Sequence, residues 1–237
     1  MLNLIGLGLN KDGLSLESLE AVKESEKIYL ENYTVDFPYS LEELEKKLSK
    51  KIIPSNREIV EQHLDEILKE AKSQNVSILV YGNPLMATTH VTILQEAKIN
   101  HIETRIFHSA SIFDAISETG LQPYKFGKTA SMPNFEADSY IEILRENQGI
   151  NAHTLILIDI GLQLDKAIEK LSQDSEKSKI QLNKILICSR LGNKDSRIYY
   201  DSPRELQPKK IKAPFCIIIP GKLHFVEEEF LENFKSA

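Results

Sequence analysis

Cysteine is scarce: the 237 residues include two, Cys188 and Cys216, both inside apolar runs. They read as buried small hydrophobes rather than as a disulfide framework, which fits a reducing compartment and a cytoplasmic protein. Neither Cys-x-x-Cys nor His-Glu-x-x-His spacing occurs among these cysteines and the six histidines, so metal chemistry has no support. A Gly-x-Ser-x-Gly elbow is missing too, which argues against hydrolysis through a serine nucleophile. No uncharged run approaches the roughly 18 to 20 residues of a membrane span, and no basic leader precedes an apolar segment, so neither insertion nor targeting is expected. Positive charge is in deficit: the formal net charge is -6. Nucleic acid is therefore not an expected partner. The only tight basic cluster, Lys209, Lys210 and Lys212, reads as a solvated loop.

The content that is present, 41% hydrophobic and 27% charged, is that of a globular protein. Its length permits one large domain or two smaller ones, at about 100 to 200 residues each. The stretch from Ile78 to Ile93 organises the rest. An apolar run, Ile78-Leu79-Val80-Tyr81, stops at Gly82-Asn83-Pro84 and restarts at Ala87-Thr88-Thr89-His90, the pattern of strand, turn and helix, with Thr88 or Thr89 able to cap the helix. In an open α/β sheet such a turn is either a ligand site at the carboxyl end of a strand or a plain connection.

Upstream, Leu2 to Ile5 leads into Gly6-Leu7-Gly8-Leu9, which lacks the third glycine of a dinucleotide fingerprint, and Ser15 caps a helix over Leu16 to Lys23. Lys27 to Leu30 is a short strand. Ser40 to Glu43 and Ser55 to Glu58 both have the form of a capping box, the second before a helical stripe that includes Leu64 and Ala71, with His63 at its edge. Ile102 to Phe107 alternates as a strand, and Ser111 with Asp114 starts a short helix that Gly120 can end. A domain boundary near residue 110 gives an N-terminal α/β domain over 1–110 and a C-terminal one over 111–237.

In the second half, Ser139 to Asn147 is helical and His153 to Ile160 is a strand buried on both faces. Asp159 must there meet backbone amides or a ligand. Leu164 to Leu171 is an amphipathic helix, and the polar Ser172 to Lys179 predicts a mobile surface loop. Ile185 to Ser189, Arg197 to Tyr200 and Phe215 to Ile219 are strands. Ser202 to Glu205 pairs a capping box with a proline at the first helical position, and Pro220 to His224 opens the C-terminal helix.

The order of the turns is more telling than any one of them. Gly6-Leu7-Gly8-Leu9, Gly82-Asn83-Pro84-Leu85-Met86-Ala87-Thr88-Thr89-His90, Ser111-Ile112, Tyr124-Lys125-Phe126-Gly127-Lys128 and Pro220-Gly221-Lys222-Leu223-His224 together resemble the diphthine synthases, within the larger class similar to the cobalamin and tetrapyrrole methylases. The resemblance runs from the first strand to the last. It implies two α/β domains with an S-adenosylmethionine cleft between them, usually in a homodimer. It further implies methylation of the amino group of a 3-amino-3-carboxypropyl-histidine on translation elongation factor 2, the archaeal product being trimethylated diphthine. By the same motifs the cofactor-binding positions are Leu9, Asn83, Met86, Ser111, Ile112, Ile158, Leu191 and Phe215; no catalytic acid or base is assigned. The rival readings are a related tetrapyrrole or ribosomal RNA methyltransferase, and a non-catalytic cofactor-binding homologue.

Methyl transfer from a sulfonium is chiefly a matter of positioning, and orientation alone can lower a barrier by about 7 to 11 kcal/mol. The acceptor must be a free amine, and a partly dry site helps by disfavouring the ammonium form. One departure stands out. Where the resembled family has Gly-Asp-Pro, this chain has Gly82-Asn83-Pro84, so a carboxylate facing the cofactor's ammonium group becomes a neutral amide. Charge-assisted hydrogen bonds are roughly twice as strong as neutral ones, so the sequence predicts weakened cofactor binding that Asn83→Asp would restore.

Overall fold

The computed structural model describes residues 1–235. The chain divides into two compact units, Met1–Asp114 and the residues from Ala115 onward. In the first, strands β1 (Leu2–Gly6), β2 (Lys27–Glu31), β3 (Ile53–Ser55), β4 (Val76–Val80) and β5 (Thr104–Phe107) form a parallel sheet in the order β3-β2-β4-β1-β5. The strands β1 and β4 are buried at every position, which is why they read as uncharged, mostly apolar runs rather than alternating ones; their polar members Asn3 and Ser77 are buried and hydrogen-bond to each other at 3.3 Å. Helices α1 (Leu16–Glu24) and α2 (Leu41–Leu48) share one apolar cluster, while α3 (Leu64–Ala71) and α4 (Val91–Ile99) share another. These are the two faces of the sheet. The crossover from β1 to β2 passes β4, and that from β4 to β5 passes β1, so the connections leave these adjacent strands in opposite directions. Their carboxyl ends therefore form the switch point where open α/β sheets bind ligands.

The second unit is mixed. After α5 (Ile112–Ala115), which spans the division, come β6 (Ala130–Met132), α6 (Ser139–Gly149), β7 (Thr154–Ile158), α7 (Leu164–Lys177), β8 (Ile185–Ser189), β9 (Arg197–Asp201), α8 (Pro203–Leu206), β10 (Phe215–Ile219) and α9 (Phe225–Leu231). The sheet order is β6-β7-β10-β8-β9, with only β6 and β7 parallel. One core, including Tyr140, Leu144, Ile156, Ile168, Ile187 and Ile217, fills this unit. Cys188 and Cys216 are both buried and free, facing each other across β8 and β10. Among the described residues no helix is long and apolar enough to cross a membrane, and no group of three His, Cys, Asp or Glu side chains could hold a metal ion.

Several local expectations need correction. The segment Ser172 to Lys179 is not a loop, because α7 runs on to Lys177. The burial stripe Leu164, Ala167, Ile168, Leu171 continues through Ser175, a small residue that fits a core position despite its polarity, and the Tyr140 hydroxyl donates to Asp174 at 2.7 Å. Ser55 caps nothing: it ends β3, and its hydroxyl donates to the Ile53 carbonyl, while Asn56 accepts the Ile59 amide ahead of a π-helical turn at Glu58–Gln62. The alternation expected over Ile102 to Phe107 fails because β5 is an edge strand starting at Thr104, with both Arg105 and Ile106 exposed. In β7 the run Thr154 to Ile156 is buried, but Leu157 and Ile158 are only half-buried. The box at Ser202 is half present: its side chain accepts the Glu205 amide, with Pro203 at the first helical position.

Candidate functional site

At the carboxyl edge of the first sheet three turns meet. Gly6 lies so close to the next turn that a Cβ there would stand 2.6 Å from the Gly82 carbonyl oxygen. Gly82 itself has φ +72°, a left-handed conformation suited to glycine, and exchanges backbone hydrogen bonds with Gly8 at 3.0 and 3.2 Å. The first turn is tied further by the Tyr81 hydroxyl, which donates to the Leu9 carbonyl at 2.9 Å, and by the Ser109 hydroxyl, which donates to Gly13 at 2.9 Å. Leu9 is buried.

The second turn is held by Asn83. Its Oδ1 accepts from the Leu85 amide at 3.2 Å, and its Nδ2 donates to the Ser109 carbonyl at 3.2 Å and lies 3.1 Å from His108 Nδ1. The side chain thus bridges the turns after β4 and β5. Met86 is exposed and Ala87 has φ 55°, an uncommon conformation for a residue with a side chain. Thr88 accepts the His90 amide at 3.3 Å, but the cap position of α4 belongs to His90, whose buried ring donates from Nδ1 to the Pro84 carbonyl at 3.1 Å. His90 is therefore part of the scaffold of the turn. In the third turn the buried Ser111 receives the Phe113 amide at 3.2 Å, and its own amide and hydroxyl both donate to Asp114. Ile112 beside it is half-buried. The structure accordingly brings Leu9, Asn83, Met86, Ser111 and Ile112 to one edge of one sheet.

In the second unit the remaining three positions also share an edge. Phe215 at the start of β10 pairs with Ser189 at the end of β8, and the next residue, Cys216, pairs with Leu157, which precedes Ile158. Leu191 follows two residues after Ser189 and is buried. The neighbouring Arg190, with φ 53°, donates through Nε to the Ala213 carbonyl at 2.7 Å and through Nη1 to Asp195 at 2.9 Å. Asp159 meets backbone amides, accepting from Ile160 at 3.0 Å and Asn134 at 3.3 Å.

The two motifs Tyr124 to Lys128 and Pro220 to His224 do something else. They converge on Glu227, whose side chain is fully buried. Glu227 accepts from the Gln122 amide at 2.9 Å, the His224 amide at 2.7 Å, His153 Nε2 at 3.1 Å and the Lys125 ammonium. Burial opposes its charge, but these donors outweigh burial and pull its pKa down to about 2. His153 accepts the Gly221 amide at Nδ1, 2.9 Å away, so its proton sits on Nε2 facing Glu227; burial depresses its pKa more than Glu227 raises it. His224 closes the set as N-cap of α9, its ring accepting from the Val226 amide in a capping box with Glu227.

Sequence reasoning assigned no role to His108, Ser109 or Tyr81. The first two follow directly on the last residue of β5, a position at the carboxyl edge that gives the one signal by which they could have been found. Glu31, also unassigned, is a fully buried carboxylate at the end of β2, but it serves its own loop, accepting from the Tyr33 amide and the Thr34 hydroxyl.

This arrangement, a parallel sheet with three joined carboxyl-end turns followed by a mixed sheet, has known counterparts. Residues 1–207 match the family described as Tetrapyrrole (Corrin/Porphyrin) Methylases. The chain is 37% identical over 249 residues to the diphthine synthase of Methanococcus vannielii, covering 98% of each chain, and 35% identical over 268 residues to the diphthine methyl ester synthase of Dictyostelium discoideum, covering 99% of this chain and 98% of that one. A solved structure described as diphthine synthase superposes with a TM-score of 0.92 at 32% identity, covering 99% of this chain and 95% of the other. The chain belongs to the diphthine synthase family and is a methyltransferase of diphthamide biosynthesis.

Proposed function

We propose that this methyltransferase uses S-adenosylmethionine to methylate the amino group of the 3-amino-3-carboxypropyl-histidine of translation elongation factor 2, giving trimethylated diphthine, and that it acts as a cytoplasmic homodimer. The observation that carries the reading is the meeting of the turns after β1, β4 and β5, which pack so closely that only a glycine fits at Gly6. The residues there fit a neutral nucleoside and an amino-acid group: backbone turns, the amide of Asn83, the exposed thioether of Met86 and the Ser111–Ile112 turn. The proposed contacts are Leu9, Asn83, Met86, Ser111 and Ile112 in the first unit and Ile158, Leu191 and Phe215 in the second. When bound, the cofactor supplies an electrophilic methyl group on a sulfonium that departs as a neutral thioether. The protein's part is to hold the acceptor amine in line, for which no acid or base dyad is required.

A second reading concerns the product. The Dictyostelium relative is named for a methyl ester, which would place a further methyl on the substrate's carboxylate. Incubation of the protein with labelled S-adenosylmethionine and elongation factor 2 carrying the amino-carboxypropyl histidine tests both. Alkali-stable label on the factor supports amine methylation, and an additional alkali-labile methyl supports the ester. Label on RNA or a corrin, or binding without turnover, would overturn the proposal in favour of its rivals.

A further inference from the structure

Asn83 has its orientation dictated by two backbone partners of opposite kind. The Leu85 amide, 3.2 Å from Oδ1, can only donate, and the Ser109 carbonyl, 3.2 Å from Nδ2, can only accept. The end of the side chain facing the β5 turn is therefore the NH2 group. That same nitrogen lies 3.1 Å from His108 Nδ1, so its second N–H is directed at the ring. Since Nδ1 must accept, it carries a lone pair, and a neutral imidazole then bears its one proton on Nε2. His108 is exposed, and Nε2 has no other partner among the described residues.

We propose that Asn83 locks His108 as the Nε2–H tautomer, and that His108 is thereby a neutral hydrogen-bond donor for the carboxylate of an α-amino-acid group in the bound ligand. The ligand half of this rests on the function proposed above, in which both the cofactor and the acceptor side chain carry such a carboxylate. A neutral N–H favours an anionic acceptor, because a hydrogen bond with one ionised partner is shorter and stronger than one between neutral groups. The same geometry removes His108 from consideration as the proton acceptor at Nε2: the amine's proton leaves by another route. It also gives residue 83 a specific chemistry. An aspartate there would set a carboxylate oxygen against the Ser109 carbonyl, with no proton to share, and would draw a proton onto His108 Nδ1.

Nitrogen-15 imidazole spectra of the full-length protein, recorded where the ring is neutral, decide the tautomer. The wild type is expected to show His108 protonated at Nε2 and bare at Nδ1, and Asn83→Asp to move a proton onto Nδ1. A proton on Nδ1 in the wild type, or an unchanged pattern in Asn83→Asp, would overturn the proposal. For the ligand, affinities are compared for S-adenosylhomocysteine and its decarboxylated analogue. A wild-type preference of about tenfold for the carboxylate, abolished by His108→Phe and partly kept by His108→Gln, assigns the cofactor's carboxylate. If that preference is unaffected but His108→Phe raises KM for the acceptor protein about tenfold at constant kcat, the acceptor's carboxylate is assigned; the absence of both effects refutes the ligand half. Failure of the wild type to bind S-adenosylhomocysteine at all would instead sink the cofactor reading, while the spectra still decide the tautomer.

Discussion

Two sets of motif residues, equally conspicuous in the sequence, use their polar groups in opposite ways. Around Gly6, Gly82 and Asn83 the contacts are neutral and largely backbone, and they end at an exposed imidazole and an exposed methionine. Around Glu227 the contacts are partly ionic and turned inward, with a fully buried carboxylate receiving two backbone amides, a buried histidine and a half-buried lysine. The first set ends at exposed side chains, and the second directs four donors at one buried carboxylate. A motif that distinguishes a family can thus be a clamp that holds a fold together rather than a surface that meets the substrate, and only the accounting of partners separates the two.

The widest contrast is expected from breaking the clamp. Glu227→Gln should cost about 3 to 5 kcal/mol of folding stability, since it removes the charge that the half-buried Lys125 and the buried His153 both donate to. Denaturant unfolding would measure it, and a loss under 1 kcal/mol would show that the network contributes little. The pH dependence has a definite sign. Glu227 falls from 4.5 to about 2 on folding, so its contribution is present above pH 4.5 and lost as pH drops toward 2. His153, depressed below 6.5, adds to the loss, because the unfolded chain takes up that proton first as pH falls. Wild-type stability should therefore decline from about pH 6.5 downward, and the Gln variant should show a flatter profile between pH 4.5 and 2.

Next in size is Gly6→Ala, which strikes the open region. The added Cβ would come within 2.6 Å of the Gly82 carbonyl and 2.9 Å of Pro84, so the turn must move. Overpacking of this kind costs about 1 to 3 kcal/mol, and displacement of the turn should weaken S-adenosylmethionine binding about 10- to 100-fold. Calorimetry that found unchanged affinity would remove this turn from the proposed site.

What could be read directly from the sequence follows the same division. Buried parallel strands such as Val76–Val80 announce themselves as apolar runs, and caps such as Ser15 and Ser40 act within three residues of where they stand. Both rest on local physics. Residues whose meaning depends on a distant partner were opaque: Ser175 belongs to the core because α7 packs there, and Asn83 bridges to a turn 26 residues away through Ser109. The strand order that sets β1 beside β4 is likewise invisible in any window of sequence.

Asn83→Asp sharpens the comparison further, because sequence and structure give opposite expectations. Composition of the motif alone says that a carboxylate should tighten cofactor binding; the geometry says that it forfeits the hydrogen bond to the Ser109 carbonyl and reverses the one to His108, whose Nδ1 would then donate. At about 0.5 to 1.5 kcal/mol, the loss of the Ser109 bond should weaken S-adenosylmethionine binding roughly two- to tenfold, and tighter binding would restore the sequence expectation.

The smallest effect, and the cleanest separation of clamp from site, comes from His224→Ala. His224 sits in a motif as distinctive as the Gly82 turn, yet its ring caps α9, accepting from the Val226 amide at 3.4 Å, and packs against the neighbouring Phe225 ring. Its backbone amide, which donates to Glu227, survives the substitution. The variant should therefore lose about 1 kcal/mol of stability, the ordinary cost of a missing cap, with S-adenosylmethionine affinity unchanged. A loss of affinity without a loss of stability would place His224 at the ligand and erase the distinction between the two motif sets.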